Sequence, residues 1–222
     1  GGNRPCRGNA KSPCRTRLQD IEVENIIQSA PAGGKAPGPD GVTNWMLVWG
    51  GDVLAPVLHA LYGAVWATGG VPPAWATAEI SYLYKGKGSP AEGSNYRPIS
   101  LLSVVGQRFT RTWLPRLVGV SSPRLVVEQG CARAGQGSLE HLWGVLSVLE
   151  DAVERGTGAY AFFADVAKAY DQVWREGLYL ALYAHGVRGN MWTMIQHWLG
   201  GSWAVTWWNS VKGPEVRMDE GL

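Results

Sequence analysis

The chain has 222 residues, of which 45% are hydrophobic and 17% charged, with 20 Lys and Arg against 18 Asp and Glu. That much apolar side chain can build a substantial core, so disorder throughout is excluded and one or two domains are expected. No run of about 18 uninterrupted apolar residues exists and no apolar leader opens the chain, so neither a membrane span nor a signal peptide is expected.

Residues 1–17, with Gly, Asn, Pro, Arg and Ser, form an expected basic, disordered linker, and with no initiator Met a fragment is expected. Asp20 or Thr16 can cap a short helix through Ser29, with Ile21, Ile26 and Ile27 as its apolar stripe. The Gly and Pro cluster at 31–41 ends it in a rigid, exposed loop. Gly34-Lys35 is not a phosphate-cradling loop, because Ala36 stands where a metal-binding Ser or Thr is required. Thr43 to Thr68 has helical spacing, with a break expected near Gly50-Gly51 and at Pro56, and its Val53–Ala67 part is expected to be core. Trp75–Tyr84 is rich in β-formers and leads to Lys85. Leu101–Val118 is a predicted helix despite Pro115. Leu139–Arg155 is another, with Leu139, Leu142, Trp143, Leu146 and Leu149 on one face. Ala159–Ala164 is predicted as a buried strand, followed by helices at Gly177–His185 and Met191–Leu199. Trp203–Asn209 and Glu215–Met218 are a predicted strand pair.

The strand ending at Asp165 is the most informative stretch, since a carboxylate at the mouth of a buried strand is costly unless a cation or hydrogen bonds compensate it. Spacing alone leaves open whether Asp165 binds a metal or caps a helix starting near Lys168. Charge is unevenly placed along the chain. Residues 85–133 carry eight basic and two acidic side chains, against six and ten in residues 134–222. The basic block suits a surface that meets phosphates, with a solvated face as the alternative. Cys6, Cys14 and Cys131 have no zinc spacing with each other or with the histidines and are expected as free thiols in a reducing compartment. The twelve tryptophans show no period, so core packing is expected for most and base stacking for a few that the sequence does not single out.

Asp165-Val166-Ala167-Lys168-Ala169-Tyr170-Asp171 after an apolar run resembles the first catalytic block of reverse transcriptases of retrotransposons without long terminal repeats (LINE-like). Three further blocks follow that family's order: Lys35-Ala-Pro-Gly-Pro-Asp-Gly41, then Ile80 to Gly88 with Asn95-Tyr-Arg97-Pro-Ile-Ser-Leu-Leu102, then Glu128 to Ser138. Together they cover about Leu18 to Leu222, and several blocks in register are far more specific than any one. The resemblance implies an α+β fold, the fingers and partial palm of a right-hand polymerase, truncated, with fingers over 18–158 and the N-terminal part of the palm over 159–222. It implies Asp165, with the Val166 carbonyl, as the ligand of Mg2+ or Mn2+. Lys85 and Arg97 become the triphosphate grip, and Tyr170 the ring beneath the sugar that disfavours a 2′-hydroxyl. Asp171 and Arg133 take supporting roles. RNA template, DNA primer and deoxynucleoside triphosphates are the implied partners, with no membrane and with polyprotein on both sides. The implied location is intracellular, nuclear or cytoplasmic.

The sequence departs from the family at Ala132, Gln136 and Ala167, and it holds no Asp-Asp pair for the second catalytic block. One aspartate cannot position two ions, so the chain alone is expected to be inert. The alternative reading is a non-catalytic nucleic-acid-binding remnant or domesticated module. A purely structural remnant is a third.

Overall fold

The computed structural model describes residues 18, 20–29, 36–131, 133, 135–208 and 211–221; for Asp20 and Ile21 it describes the backbone alone. The predicted linker 1–17, with Cys6, Cys14 and Thr16, lies outside them, as do Lys35 and Ala132.

Helices supply most of the core, with Trp66, Trp75 and Trp113 buried in it. Helix α1 (Asp20–Gln28) and helix α2 (Asn44–Thr68) are followed by the short α3 (Pro73–Ala76), and α4 (Val104–Ser121) packs behind them. Helix α2 starts where the Thr43 hydroxyl accepts from the Met46 N–H at 3.3 Å, and ends at Gly69, whose φ of +69° satisfies the left-handed cap. The helix is assigned as continuous through Gly50, Gly51 and Pro56, so the predicted break does not appear. Its core contact offsets the hydrogen bond that Pro56 removes: Leu47, Leu58, Tyr62, Val65 and Trp66 are all buried. By length and composition α2 is apolar enough to cross a membrane, with mean hydropathy 1.2, yet one face of it is this core.

An aromatic knot centres on fully buried Phe109, 5.2 Å from the Tyr62 ring, 5.4 Å from Trp75 and 6.3 Å from the stacked Trp198. Burial pushes the Tyr62 phenol far above its ordinary pKa, and the neutral hydroxyl donates to the Val105 carbonyl at 2.9 Å. Trp198 reaches the knot from helix α7 (Gly189–Gly200), which follows α6 (Arg175–Ala184). Between α4 and α6 lies α5 (Ser138–Glu154), an element with no buried residue.

Beside the helices stands one mixed sheet of four strands in the order β2-β1-β3-β4. Strand β1 (Thr77–Tyr84) pairs antiparallel with β2 (Tyr96–Leu101) and parallel with β3 (Trp203–Trp208), which pairs antiparallel with β4 (Val211–Arg217). The predicted strand pair near the end of the chain is thus present, and it is stitched to a strand about 120 residues earlier in a crossover typical of parallel neighbours. The molecule is a mixed α/β protein.

Candidate functional site

The β1–β2 hairpin sets the geometry of the cationic residues. Leu83 faces Arg97 and Tyr84 faces Tyr96 across the ladder, and the Lys85 N–H extends it by donating to the Asn95 carbonyl at 2.8 Å. Because side chains alternate with period two, Lys85 shares the face of Leu83 and Arg97, while Tyr84 and Tyr96 take the other. Lys85 and Arg97, predicted from separate blocks, therefore lie on one face, and both are exposed. The Lys85 ammonium donates to the Ser94 carbonyl at 2.6 Å, which keeps its charge uncompensated, and Arg97 makes no ion pair among the described residues. On the reverse face, the Tyr84 and Tyr96 hydroxyls donate to the Gly88 and Pro90 carbonyls and pin the loop that carries Lys87.

The described part of the Lys35–Gly41 block docks onto the end of this hairpin. The Ser103 hydroxyl donates to Asp40 at 2.5 Å and accepts from the Gly106 N–H at 3.2 Å, so one side chain caps α4 and holds the Asp40 loop. Gly38 lies against the Leu102 and Ser103 backbone, where an added Cβ would come within 2.4 Å of the Leu102 carbonyl carbon. This contact explains a glycine inside Ala36-Pro-Gly-Pro-Asp-Gly41. Arg133, given a supporting role from the sequence, donates to the Val126 carbonyl at 2.9 Å and closes its own loop.

The segment bearing Asp165 departs from expectation. Residues 159–166 have no ladder partner, and Tyr160, Phe162 and Phe163 are 103%, 92% and 81% exposed, so the predicted buried strand is absent. In the sheet β2 and β3 occupy both sides of β1, and the segment pairs with neither of the outer strands β2 and β4. Asp165, Val166, Tyr170 and Asp171 are all exposed, and no hydrogen bond or ion pair among the described residues links Asp165 to Lys85 or Arg97. No group of three or more His, Cys, Asp or Glu gathers among the described residues to hold a metal. Asp165 and the Val166 carbonyl are hard oxygen donors of the kind Mg2+ takes, and Mg2+ normally completes its shell with water and phosphate. The donor set fits in type.

After Asp165 the chain turns on Lys168, whose φ is +50°, and the Asp171 and Gln172 N–H groups donate to its carbonyl. An unforeseen residue holds this turn. Arg175, only 4% exposed, donates from Nε to the Gly221 carbonyl at 2.8 Å, from Nη2 to Glu220 at 3.2 Å, and from Nη1 to the Leu199 and Met218 carbonyls. Gly221, at φ +78°, is pressed against the turn: its N–H donates to the Val173 carbonyl at 3.1 Å, and a Cβ there would sit 3.0 Å from the Tyr170 and Asp171 carbonyl oxygens. The backbone from Tyr170 to Val173 is thereby in contact with Gly221.

These features define a mixed α/β protein with a cationic sheet hairpin and a separate exposed segment carrying a carboxylate. The chain is 31% identical over 159 residues, 71% of its length, to the RNA-directed DNA polymerase from mobile element jockey of Drosophila melanogaster. It is 30% identical over 167 residues, 72% of its length, to the probable RNA-directed DNA polymerase from transposon BS of the same fly, and 27% identical over 169 residues to that from transposon X-element. By these likenesses the chain belongs with the reverse transcriptases of LINE-like retrotransposons. The matched region is 17% or 18% of the length of those relatives. No family model matches the chain.

Proposed function

We propose that this chain supplies the fingers and the opening of the palm of an RNA-directed DNA polymerase acting by two-metal nucleotidyl transfer. The observation that carries the reading is the hairpin register that sets Lys85 and Arg97 on one exposed face, in a chain related to retrotransposon polymerases. Arg97 clamps phosphate oxygens with parallel N–H bonds, and Lys85 adds a point charge beside it. Asp165 and the Val166 carbonyl hold Mg2+ or Mn2+, which when bound activates the primer hydroxyl and neutralises the leaving pyrophosphate. Tyr170 bars a 2′-hydroxyl, so deoxynucleotides are selected, and RNA template and DNA primer are the partners of the whole polymerase. Asp171 orients the turn.

The test uses a polypeptide of the relatives' length that contains this chain. Asp165→Asn is expected to abolish incorporation while leaving template affinity nearly unchanged, and Tyr170→Ala to admit ribonucleotides more readily. Normal incorporation by Asp165→Asn, or full triphosphate affinity in Lys85→Ala and Arg97→Ala together, overturns the reading. The isolated 222 residues, with one catalytic block and no Asp-Asp pair, bind nucleic acid without extending a primer.

A further inference from the structure

Helix α2 buries one face in the core and presents another, equally apolar, to solvent. With 3.6 residues per turn, the buried Leu47, Leu58, Tyr62 and Val65 gather on one side, and Met46, Trp49, Val53, Ala60, Ala64 and Ala67 run along the middle of the other. Their spacings of three, four and seven keep this line straight along the helix, which is the pattern of a helix–helix seam. Trp49 and Val53 are 82% and 81% exposed, and Trp45, Val57 and Leu61 widen the strip on its two sides. Asp52, at the edge of the strip, is the one Asp, Glu, Lys or Arg in the helix.

The exposed parts of these large side chains amount to roughly 700 Å², taking an aromatic side chain at about 150–250 Å². That exceeds the roughly 300–600 Å² of the largest apolar patch on an ordinary monomer. It approaches the about 800 Å² that each partner contributes to a standard interface.

The grading of the line selects the occupant. Its N-terminal half carries the bulky Met46, Trp49 and Val53, and its C-terminal half the alanines 60, 64 and 67. The surface that complements this is the same surface reversed. In an antiparallel pair of α2 helices related by a two-fold axis near Pro56 and Val57, Met46 of one copy meets Ala67 of the other, Trp49 meets Ala64, and Val53 meets Ala60. Each large side chain then faces a small one at both ends of the contact, as a closed, self-complementary interface requires. A parallel pair would set Trp49 on Trp49 and leave the alanines facing a gap. The other exposed apolar strip, on α5, has no such grading: Leu139, Leu142, Trp143, Leu146 and Leu149 are all large.

We infer that two copies of this chain associate through an antiparallel, two-fold pairing of their α2 helices. The inference goes beyond the polymerase reading and does not draw on it.

The experiment is sedimentation equilibrium of the 222-residue chain, with circular dichroism to confirm that each variant folds. The wild type is expected to approach twice the 24.0 kDa of the single chain as concentration rises. Trp49→Ala raises the dimer dissociation constant about 30-fold or more, as the loss of a central aromatic anchor does. Val53→Glu leaves a monomer. Ala60→Trp adds apolar surface at an exposed position yet also leaves a monomer, because its ring meets Val53 of the other copy. Leu146→Glu, on α5, leaves the dimer intact. A wild type that stays monomeric up to about 100 µM, well above the micromolar range of standard interfaces, overturns the inference. So does a dimer that survives Val53→Glu, that tightens in Ala60→Trp as indiscriminate apolar association would, or that is lost in Leu146→Glu. A polypeptide of the relatives' length that remains monomeric would assign the α2 face to another part of that chain, and flotation of a monomeric wild type with phosphatidylcholine vesicles would assign it to lipid; either result also overturns it. Triphosphate binding through Lys85 and Arg97 is expected to be unchanged in every α2 variant, so the two proposals stand or fall separately.

Discussion

Arg175 carries a charge with no carboxylate paired to it among the described residues, so the carbonyls of Leu199, Met218, Glu220 and Gly221 solvate it. Backbone carbonyls can do this only where several converge, which makes the residue an organiser of the chain around it. Nothing in the sequence marks it, because its partners are main-chain atoms 24 to 46 residues away and any residue type supplies a carbonyl. Asp165 was legible as a candidate from an apolar run ending in a carboxylate, whereas the Lys168 turn and the Gly221 wedge that surround it were not. Replacing Arg175 with Met keeps much of the volume but leaves those carbonyls without donors, at an expected cost on the order of 3 kcal/mol in urea denaturation. Gly221→Ala meets a positive φ and two carbonyl oxygens, and is expected to lose about 1–2 kcal/mol. Hydrogen exchange should rise at 167–173 in both variants. Unchanged exchange there would show that the turn holds itself.

At the scale of elements, the periodic segments were legible and the solitary apolar run was not. Helix spacing placed α2, α4, α5, α6 and α7 to within a few residues, and β3 was found with its boundaries nearly right, whereas β4 begins at Val211, four residues before the predicted Glu215. Ala159–Ala164 has the composition of a strand, but a strand exists only where a ladder edge accepts it, and composition does not encode which edges are free. Amphipathicity likewise gave α5 an apolar face without revealing that nothing among the described residues buries it. Helices α4 and α5 therefore answer mutation differently. Phe109→Ala, at the centre of the aromatic knot, is expected to cost about 3–5 kcal/mol. Leu146→Glu on α5 should change stability by less than about 0.5 kcal/mol, because an exposed site away from caps and networks contributes little. Concentration-dependent light scattering should fall in Leu146→Glu, since a charge interrupts the exposed stripe Leu139, Leu142, Leu146 and Leu149. Equal losses of stability in the two variants would mean that α5 is packed.

For the molecule as a whole, the structure divides a charge distribution that the sequence offered as a block. Of the basic side chains in residues 85–133, Arg108 is buried and bonded to Asn44, with burial and then Arg111 lowering its pKa. Arg116 pairs with Glu22 at 2.8 Å, Arg124 donates to the Val120 and His185 carbonyls, and Arg133 closes its own loop. Each of these arginines is engaged by protein groups that hold elements or loops together. Lys85, Lys87 and Arg97 remain exposed at the hairpin, Lys212 stands exposed across the sheet with Glu215 4.0 Å from its ammonium, and Arg111 is exposed on α4. The distinction is measurable, because each phosphate neutralised on a single strand contributes about −0.7 to the slope of log K against log salt. Four contacts, from Lys85, Lys87, Arg97 and Lys212, give an expected slope near about −3, whereas the whole basic block acting together would give nearer about −6. A salt titration of single-stranded RNA binding by the 222-residue chain reads this directly. A slope near the steeper value would place the strand across the helical layer and remove the sheet face as its principal seat. In the shallower case Lys85→Ala, Arg97→Ala and Lys212→Ala should each bring the slope closer to zero by about 0.7, and Arg116→Ala should lower stability without moving it.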